Sequence, residues 1–241
     1  MKQENWYDVD TARGGDFSLS NAFPILMRKV FVWMTLALAI TGITAYGVAS
    51  SPALVGMIFS SKVMFWGLII AEFGLVMAIS GAINRLSLAT ATLLFILYSV
   101  VNGATLSVVF LAYSTTVIAK TFFITAGTFG AMALVGYTTK TDLTSIGKLL
   151  FMALIGIIIA SVVNIFVGSS GLDLIISYVG VLVFVGLTAY DTQKIKEMCR
   201  MAPDAGESMQ KLALLGSLSL YLDFVNLFLY LLRIFGGSNK D

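Results

Sequence analysis

The stretch LSLYLDFVNLFLYLLRIFGG, Leu218 to Gly237, has the length and apolar character of a membrane span, yet it carries Asp223 inside it. A hydrocarbon core about 30 Å thick needs about 20 apolar residues of helix. An ionised carboxylate near its centre costs about 2.5–3.5 kcal/mol even on the lenient insertion scale. The periodicity shows how that cost is avoided. Gly216, Ser219, Asp223, Asn226, Tyr230 and Arg233 recur at steps of 3, 4, 3, 4 and 3, which is one seam of an α-helix. Most other positions are Leu, Phe, Val or Ile. A helix apolar on its other faces and polar along one seam belongs in the middle of a bundle, where the seam meets protein or water.

The rest of the chain agrees. Hydrophobic residues make up 58% of the 241 and charged residues only 12%, and the mean hydropathy is +0.93; a soluble domain is about 25% charged. Seven stretches are long enough to span: 30–49, 63–83, 88–111, 121–138, 149–168, 172–191 and 212–235. The expected fold is an all-α integral membrane protein of seven transmembrane helices with the C-terminal helix central. A polar cytoplasmic segment (1–28) precedes a single transmembrane domain (29–241). The first 28 residues, with Asp8, Asp10 and Asp16, lack the apolar core of a secretory signal, so the first span is expected to stay uncleaved.

Two absences narrow the chemistry. There is no histidine, which excludes Ser-His and Cys-His catalysis, histidine-held zinc or haem, and histidine-based pH sensing. Cys199 is the single cysteine, so no intrachain disulfide forms. Carboxylates are then the leading groups for proton or metal chemistry. No organic cofactor and no nucleic acid is expected, and the bilayer itself is the first partner.

With the N-terminus in the cytoplasm, Lys2, Arg13, Arg28, Lys29, Arg85, Lys140, Lys148, Lys194, Lys196, Arg200 and Lys211 share that side, against Lys62 and Lys120 in outer loops. This is the positive-inside bias. Arg233 and Lys240 then lie at an outer C-terminus.

Three acids fall within or beside apolar spans: Glu72, Asp191 and Asp223. Intramembrane ionisable groups face the bundle interior or a water-filled cavity, and they mark function by default. Asp191 ends the sixth span, before the basic segment TQKIKEM; Pro203 and Gly206 break the chain ahead of the seventh. Counting back along an antiparallel hairpin places Asp191 and Asp223 at similar depth. Two carboxylates that meet there cannot both ionise cheaply, so they share a proton and titrate as a pair. Such a pair can hold a hard cation such as Ca²⁺, act as a proton-controlled latch, or serve an aspartic hydrolase. A purely structural role, each Asp satisfying a nearby Tyr, Asn or Arg, is the plain alternative.

Glu72 is the most deeply placed acid and suits either a protonated structural role or a relay. Arg85 ends the same span and could bridge to Asp191 or simply anchor the cytoplasmic face. The 13 residues between Glu72 and Arg85 put them about 140° apart on a straight helix. Asn102 and Asn164 sit mid-span in SVVNGATLS and SVVNIFVG, where interhelical hydrogen bonding is the expectation.

AYDTQKIK (Ala189–Lys196) and LSLYLDFVNLFLYLLRIFG (Leu218–Gly236) resemble the C-terminal signature of the Bax inhibitor-1, or transmembrane Bax inhibitor motif, family. The resemblance extends over nearly the whole chain. It implies a seven-helix fold whose last helix is surrounded by the other six, and a pH-sensitive calcium leak. It further implies that Asp191 and Asp223 form a hydrogen-bonded, proton-sensing pair, that an arginine of the second span pairs with the first aspartate, and that a glutamate lies within that span. Arg85 and Glu72 are the residues in those places. Eukaryotic members often end in a lysine-rich tail; here the chain ends GGSNKD, which suits a bacterial plasma-membrane protein.

The expected function is therefore a Ca²⁺ leak gated by Asp191 and Asp223, supported by Ser219, Asn226 and Tyr230 of the seam, and not an enzyme. A non-transporting regulator that binds other membrane proteins is the alternative. An intramembrane aspartyl protease would need G-x-G-D at the second aspartate, where this chain has Leu220 and Leu222 in place of glycines, and a later Pro-Ala-Leu motif that is missing.

Overall fold

The computed structural model describes residues 6–237, and for residues 6–21 the helical course of the backbone alone. The described residues form eight helices and no strand: α1 (Trp6–Ala49), α2 (Pro52–Phe59), α3 (Lys62–Ala82), α4 (Leu88–Ala112), α5 (Thr115–Thr138), α6 (Thr144–Val167), α7 (Ser170–Arg200) and α8 (Glu207–Gly237). Seven are long and apolar enough to cross a membrane, α1 counting from Ala22. Helix α2, absent from the sequence reading, is a two-turn connector. Pro52 starts it, and the Ser51 hydroxyl accepts the Leu54 N–H.

Serine sets most of the starts. Ser61, Ser87, Ser114 and Ser169 each accept the N–H three residues on, so the first turns of α3, α4, α5 and α7 are capped before they enter the apolar phase. At α6 the Asp142 carboxylate accepts the Thr144 N–H at 2.8 Å. Thr144, through its hydroxyl and then its backbone, holds this exposed carboxyl below its ordinary value. Gly168 ends α6 at φ +66°, a left-handed conformation that only glycine adopts freely.

The ends differ from the hydropathy reading in a consistent way. The helices start or finish in polar residues that the apolar criterion passes over. Helix α1 begins at Trp6, so the polar segment and the first span share one helix. Helices α7 and α8 are 31 residues each, about 46 Å long, and outrun a hydrocarbon core of about 30 Å.

Three side-chain bonds gather one end of the bundle: Lys29 Nζ to Gln210 Oε1 (2.6 Å), Lys211 Nζ to the Leu86 carbonyl (3.0 Å), and the Leu88 N–H to Glu207 Oε1 (3.0 Å). The alternation of the seven spans brings Arg28, Arg85, Lys140, Lys148, Lys194, Lys196 and Arg200 to this same basic end. Lys62, Lys120 and Arg233 lie at the other. Lys2, Asp8, Asp10, Arg13, Asp16 and Lys240 fall outside the residues whose side chains are described. Lys196, almost wholly buried, donates to the Tyr137 and Thr139 carbonyls at the end of α5, a cation on the negative end of a helix dipole.

Helix α8 packs against α7, α1, α5 and α4, while α3 packs on α4 and α6 on α7. In α8, 61% of the apolar stretch is buried, against 6% in α3 and in α6. The packing thus differs from an enclosure by all six neighbours. Four spans flank α8, and α3 and α6 stand outside them with large apolar side chains turned outward, Phe73, Phe151 and Phe166 among them. Lipid covers such faces. Close backbone approach makes the inner contacts: a Cβ at Gly136 would run into the Ala189 carbonyl, and one at Gly103 would come within 2.7 Å of the Thr41 carbonyl.

Candidate functional site

Helix α8 carries polar groups on two opposite faces, and each face meets a different environment. The seam read from the sequence faces a crevice of ≈ 1010 Å³. Asp191 of α7 and Ser219, Asp223, Asn226 and Tyr230 of α8 line it. Phe73 of α3 stands in its wall, and Phe151, Met152 and Ile158 of α6 complete the apolar side.

The register of α7 against α8 is set by two close approaches. A Cβ at Gly216 would sit 3.0 Å from Ile195, and one at Gly180 would sit 2.7 Å from the Tyr230 ring. Tyr230 also stacks on Phe184, with ring centroids 5.9 Å apart. From the Ile195–Gly216 contact, four residues back along α7 reaches Asp191 and four forward along α8 reaches Leu220. Asp223 is three residues beyond, and the Gly180–Tyr230 contact gives an offset of four, so the two carboxylates differ in depth by about 4.5–6 Å, about one turn.

Three buried side-chain atoms among the described residues lack a hydrogen-bond partner: Glu72 Oε1, Thr121 Oγ1 and, in the crevice, an oxygen of Asp223. Asp223 is 5% exposed, and its Oδ2 is the atom with no hydrogen-bond partner. Buried polar atoms nearly always find one, and an exception calls for an explanation. Asn226, one turn along, donates back to the Leu222 carbonyl at 2.8 Å, which leaves its side-chain oxygen available to the crevice. Arg233, at the far end of the seam, pairs with Asp173 at 3.3 Å and lies 5.7 Å over the Tyr230 ring.

The opposite face of α8 carries Tyr221, which is fully buried. Its hydroxyl donates to Asn102 Oδ1 at 2.9 Å and lies 2.7 Å from the Thr41 hydroxyl. Asn102 in turn donates to Glu72 Oε2 at 3.3 Å, and Thr41 donates to the Ser99 carbonyl at 3.0 Å. Glu72 is therefore drawn into a chain of hydrogen bonds linking α3, α4, α8 and α1, on the side away from the acid crevice. Tyr98 and Phe95 meet the Tyr221 ring edge-on at 5.7 and 5.9 Å.

Of the residues singled out in the sequence, Asp191, Asp223, Ser219, Asn226 and Tyr230 share the crevice. Glu72 does not join them. Arg85 is exposed in the turn after α3 and forms no ion pair with Asp191 among the described residues. Asn102 makes the interhelical bonds expected of it, whereas Asn164 serves locally and accepts the Ser169 N–H beyond the end of α6. Tyr221 and Thr41 were not singled out. An aromatic in an apolar run reads as packing, and only the unpaired amides and acids opposite hint that its hydroxyl is needed. Lys148 and Lys194, read only as orienting charges, also line the crevice.

Seven apolar spans around a buried polar centre, with a pair of acids on the last two, define an integral membrane protein of the helical-bundle class. A family model described as "Inhibitor of apoptosis-promoting Bax1" matches residues 24–240. "Inner membrane protein YbhL" of Escherichia coli (strain K12) is 51% identical over 212 residues, covering 88% of this chain and 91% of the relative. An uncharacterised protein of Borreliella burgdorferi is 50% identical, covering 89% and 93%, and one of Rickettsia prowazekii is 45% identical, covering 89% and 90%. The chain belongs to the Bax inhibitor-1 family, and its E. coli relative carries the name of an inner membrane protein.

Proposed function

We propose that this protein is a leak for Ca²⁺ across the membrane, and that Asp191 and Asp223 set its rate. The observation that carries this reading is the Asp223 carboxylate, buried and with Oδ2 unpartnered, in a crevice it shares with Asp191. An ionised carboxylate left so is expensive. A proton held between the two acids, or a cation between them, removes that expense. In the closed state the pair shares a proton. As pH rises both acids ionise, repel, open the basic end and admit the cation.

The seam suits brief occupancy. Ca²⁺ takes six to eight oxygens and is held more tightly as more carboxylates join. Ser219, Asn226 and Tyr230 add neutral oxygens to two acids. Two carboxylates among neutral oxygens suit an ion that is passed on and not kept. Glu72 is a second proton-binding group in this reading, tying α3 to the core through Asn102. Arg85 pairs with Asp191 only when the basic end rearranges.

The name of the E. coli relative supports a bacterial inner membrane, and the positive-inside bias supports a cytoplasmic basic end. The family description speaks of an inhibitor, not of an enzyme, and favours a second reading as a regulator of other membrane proteins. Reconstitution in liposomes decides between them. Ca²⁺ flux should increase from acid to alkaline pH, and Asp191→Asn and Asp223→Asn should each flatten that dependence. A pH dependence unchanged in both variants overturns the gating. Protein that conducts at no pH yet retains a membrane partner supports the regulator instead.

A further inference from the structure

The crevice is open on its lipid side. Phe73, Phe151, Met152 and Ile158 line it, and each is more than half exposed. In a bilayer that exposed surface is met by acyl chains. Toward the basic end, Lys148 of α6 and Lys194 of α7 line the same crevice, and both are exposed. The Gln193 side chain ties these two ends together: its Oε1 accepts the Leu143 N–H and its Nε2 donates to the Thr141 carbonyl, both at 2.8 Å. The Lys148 charge acts on Asp142 and the Lys194 charge on Asp191. Neither lysine forms an ion pair among the described residues.

We infer that this crevice is a binding site for an anionic phospholipid of the basic-end leaflet, its phosphate held by Lys148 and Lys194 and one acyl chain lying over the acid pair. Charge and depth both support the assignment. Two lysines that form no ion pair stand at the mouth of an apolar slot, which is the complement of an anionic headgroup on a hydrocarbon tail. Lys148 and Ile158 are ten residues apart on one helix, about 15 Å. That is half of a core about 30 Å thick, the depth reached by the chains of a single leaflet. Asp223 lies between those levels, so a chain seated in the slot covers it and keeps water away from the lipid side.

A transmembrane helix from a partner fits less well. Helices associate in membranes through small residues that let backbones approach, and the outer wall here is built of Phe, Met and Ile. The headgroup also bears on the acid pair, because a phosphate on Lys194 competes with Asp191 for the same ammonium.

The test uses full-length protein in lipid nanodiscs containing a trace of phospholipid with a photoactivatable diazirine at one chain end. Phosphatidylglycerol and phosphatidylcholine versions are compared, and the labelled peptides are mapped by mass spectrometry. The phosphatidylglycerol probe should label the 151–158 and 222–226 segments several-fold more than the phosphatidylcholine probe. Lys148→Gln/Lys194→Gln should abolish that excess, while Lys120→Gln at the opposite end should leave it. Both lysines are exposed, so these variants fold. Equal labelling by the two lipids overturns the site, as does an excess that survives the double substitution or one that maps elsewhere. Labelling is read without ion flux, so the result stands apart from the leak proposal.

Discussion

Asp223 and Tyr221 are two residues apart on α8 and point to opposite faces. Asp223 leaves an oxygen unpartnered in the crevice, whereas the Tyr221 hydroxyl donates to Asn102 and lies against the Thr41 hydroxyl. Tyr221→Phe strands the Asn102 side-chain oxygen and removes a partner from Thr41, which keeps its bond to Ser99. Leaving a buried polar group unpaired costs about 1–3 kcal/mol. Thermal unfolding in detergent should show that loss, while the pH dependence of Ca²⁺ flux should stay unchanged. Asp223 was legible in the sequence because charges are rare in membrane spans and the 3-and-4 spacing assigned it a face, and counting along the hairpin set Asp191 at a similar depth. The Tyr221 network was not, because its bonds cross four helices and nothing local separates a bonded tyrosine from a packed one.

Among the helices, seven spans were legible from length and hydropathy, but their ends were not. Serine caps and polar helical extensions set those ends, and neither is apolar. The connector α2, at 8 residues, is too short for periodicity to reveal. Packing partners were also hidden. Helices α3 and α6 read as apolar as the others, yet they stand outermost. Close packing of α5 on α7 rests on Gly136 against the Ala189 backbone. Gly136→Leu should force the helices apart and destabilise the protein by at least about 1–3 kcal/mol, the usual cost of overpacking. Gly127→Leu on the same helix meets nothing within 4 Å and should leave the unfolding temperature nearly unchanged. Equal effects at the two positions would refute this account of the α5–α7 contact.

At the scale of the whole molecule, four helices flank α8, and its polar seam opens toward α6 and the lipid. The sequence pointed to a buried last helix. What it could not supply was the lateral crevice, because an opening between two outer helices depends on where they stop touching. Lys148 and Lys194 illustrate this: each is an ordinary positive-inside charge until the fold sets both beside Asp191. Gathering the basic residues at one end leaves the acid pair below a positive surface, open to the bilayer on one side.

The central claim is that Asp191 and Asp223 hold a proton between them in the closed state and release it as the pathway opens. Infrared difference spectroscopy on reconstituted protein, stepped from acid to alkaline pH, reads protonated carboxyl groups directly. Wild-type protein should lose a carboxylic-acid band on the alkaline step, and Asp191→Asn and Asp223→Asn should each remove that change. A band that titrates identically in wild type and in both variants would contradict the shared proton and the gating built on it.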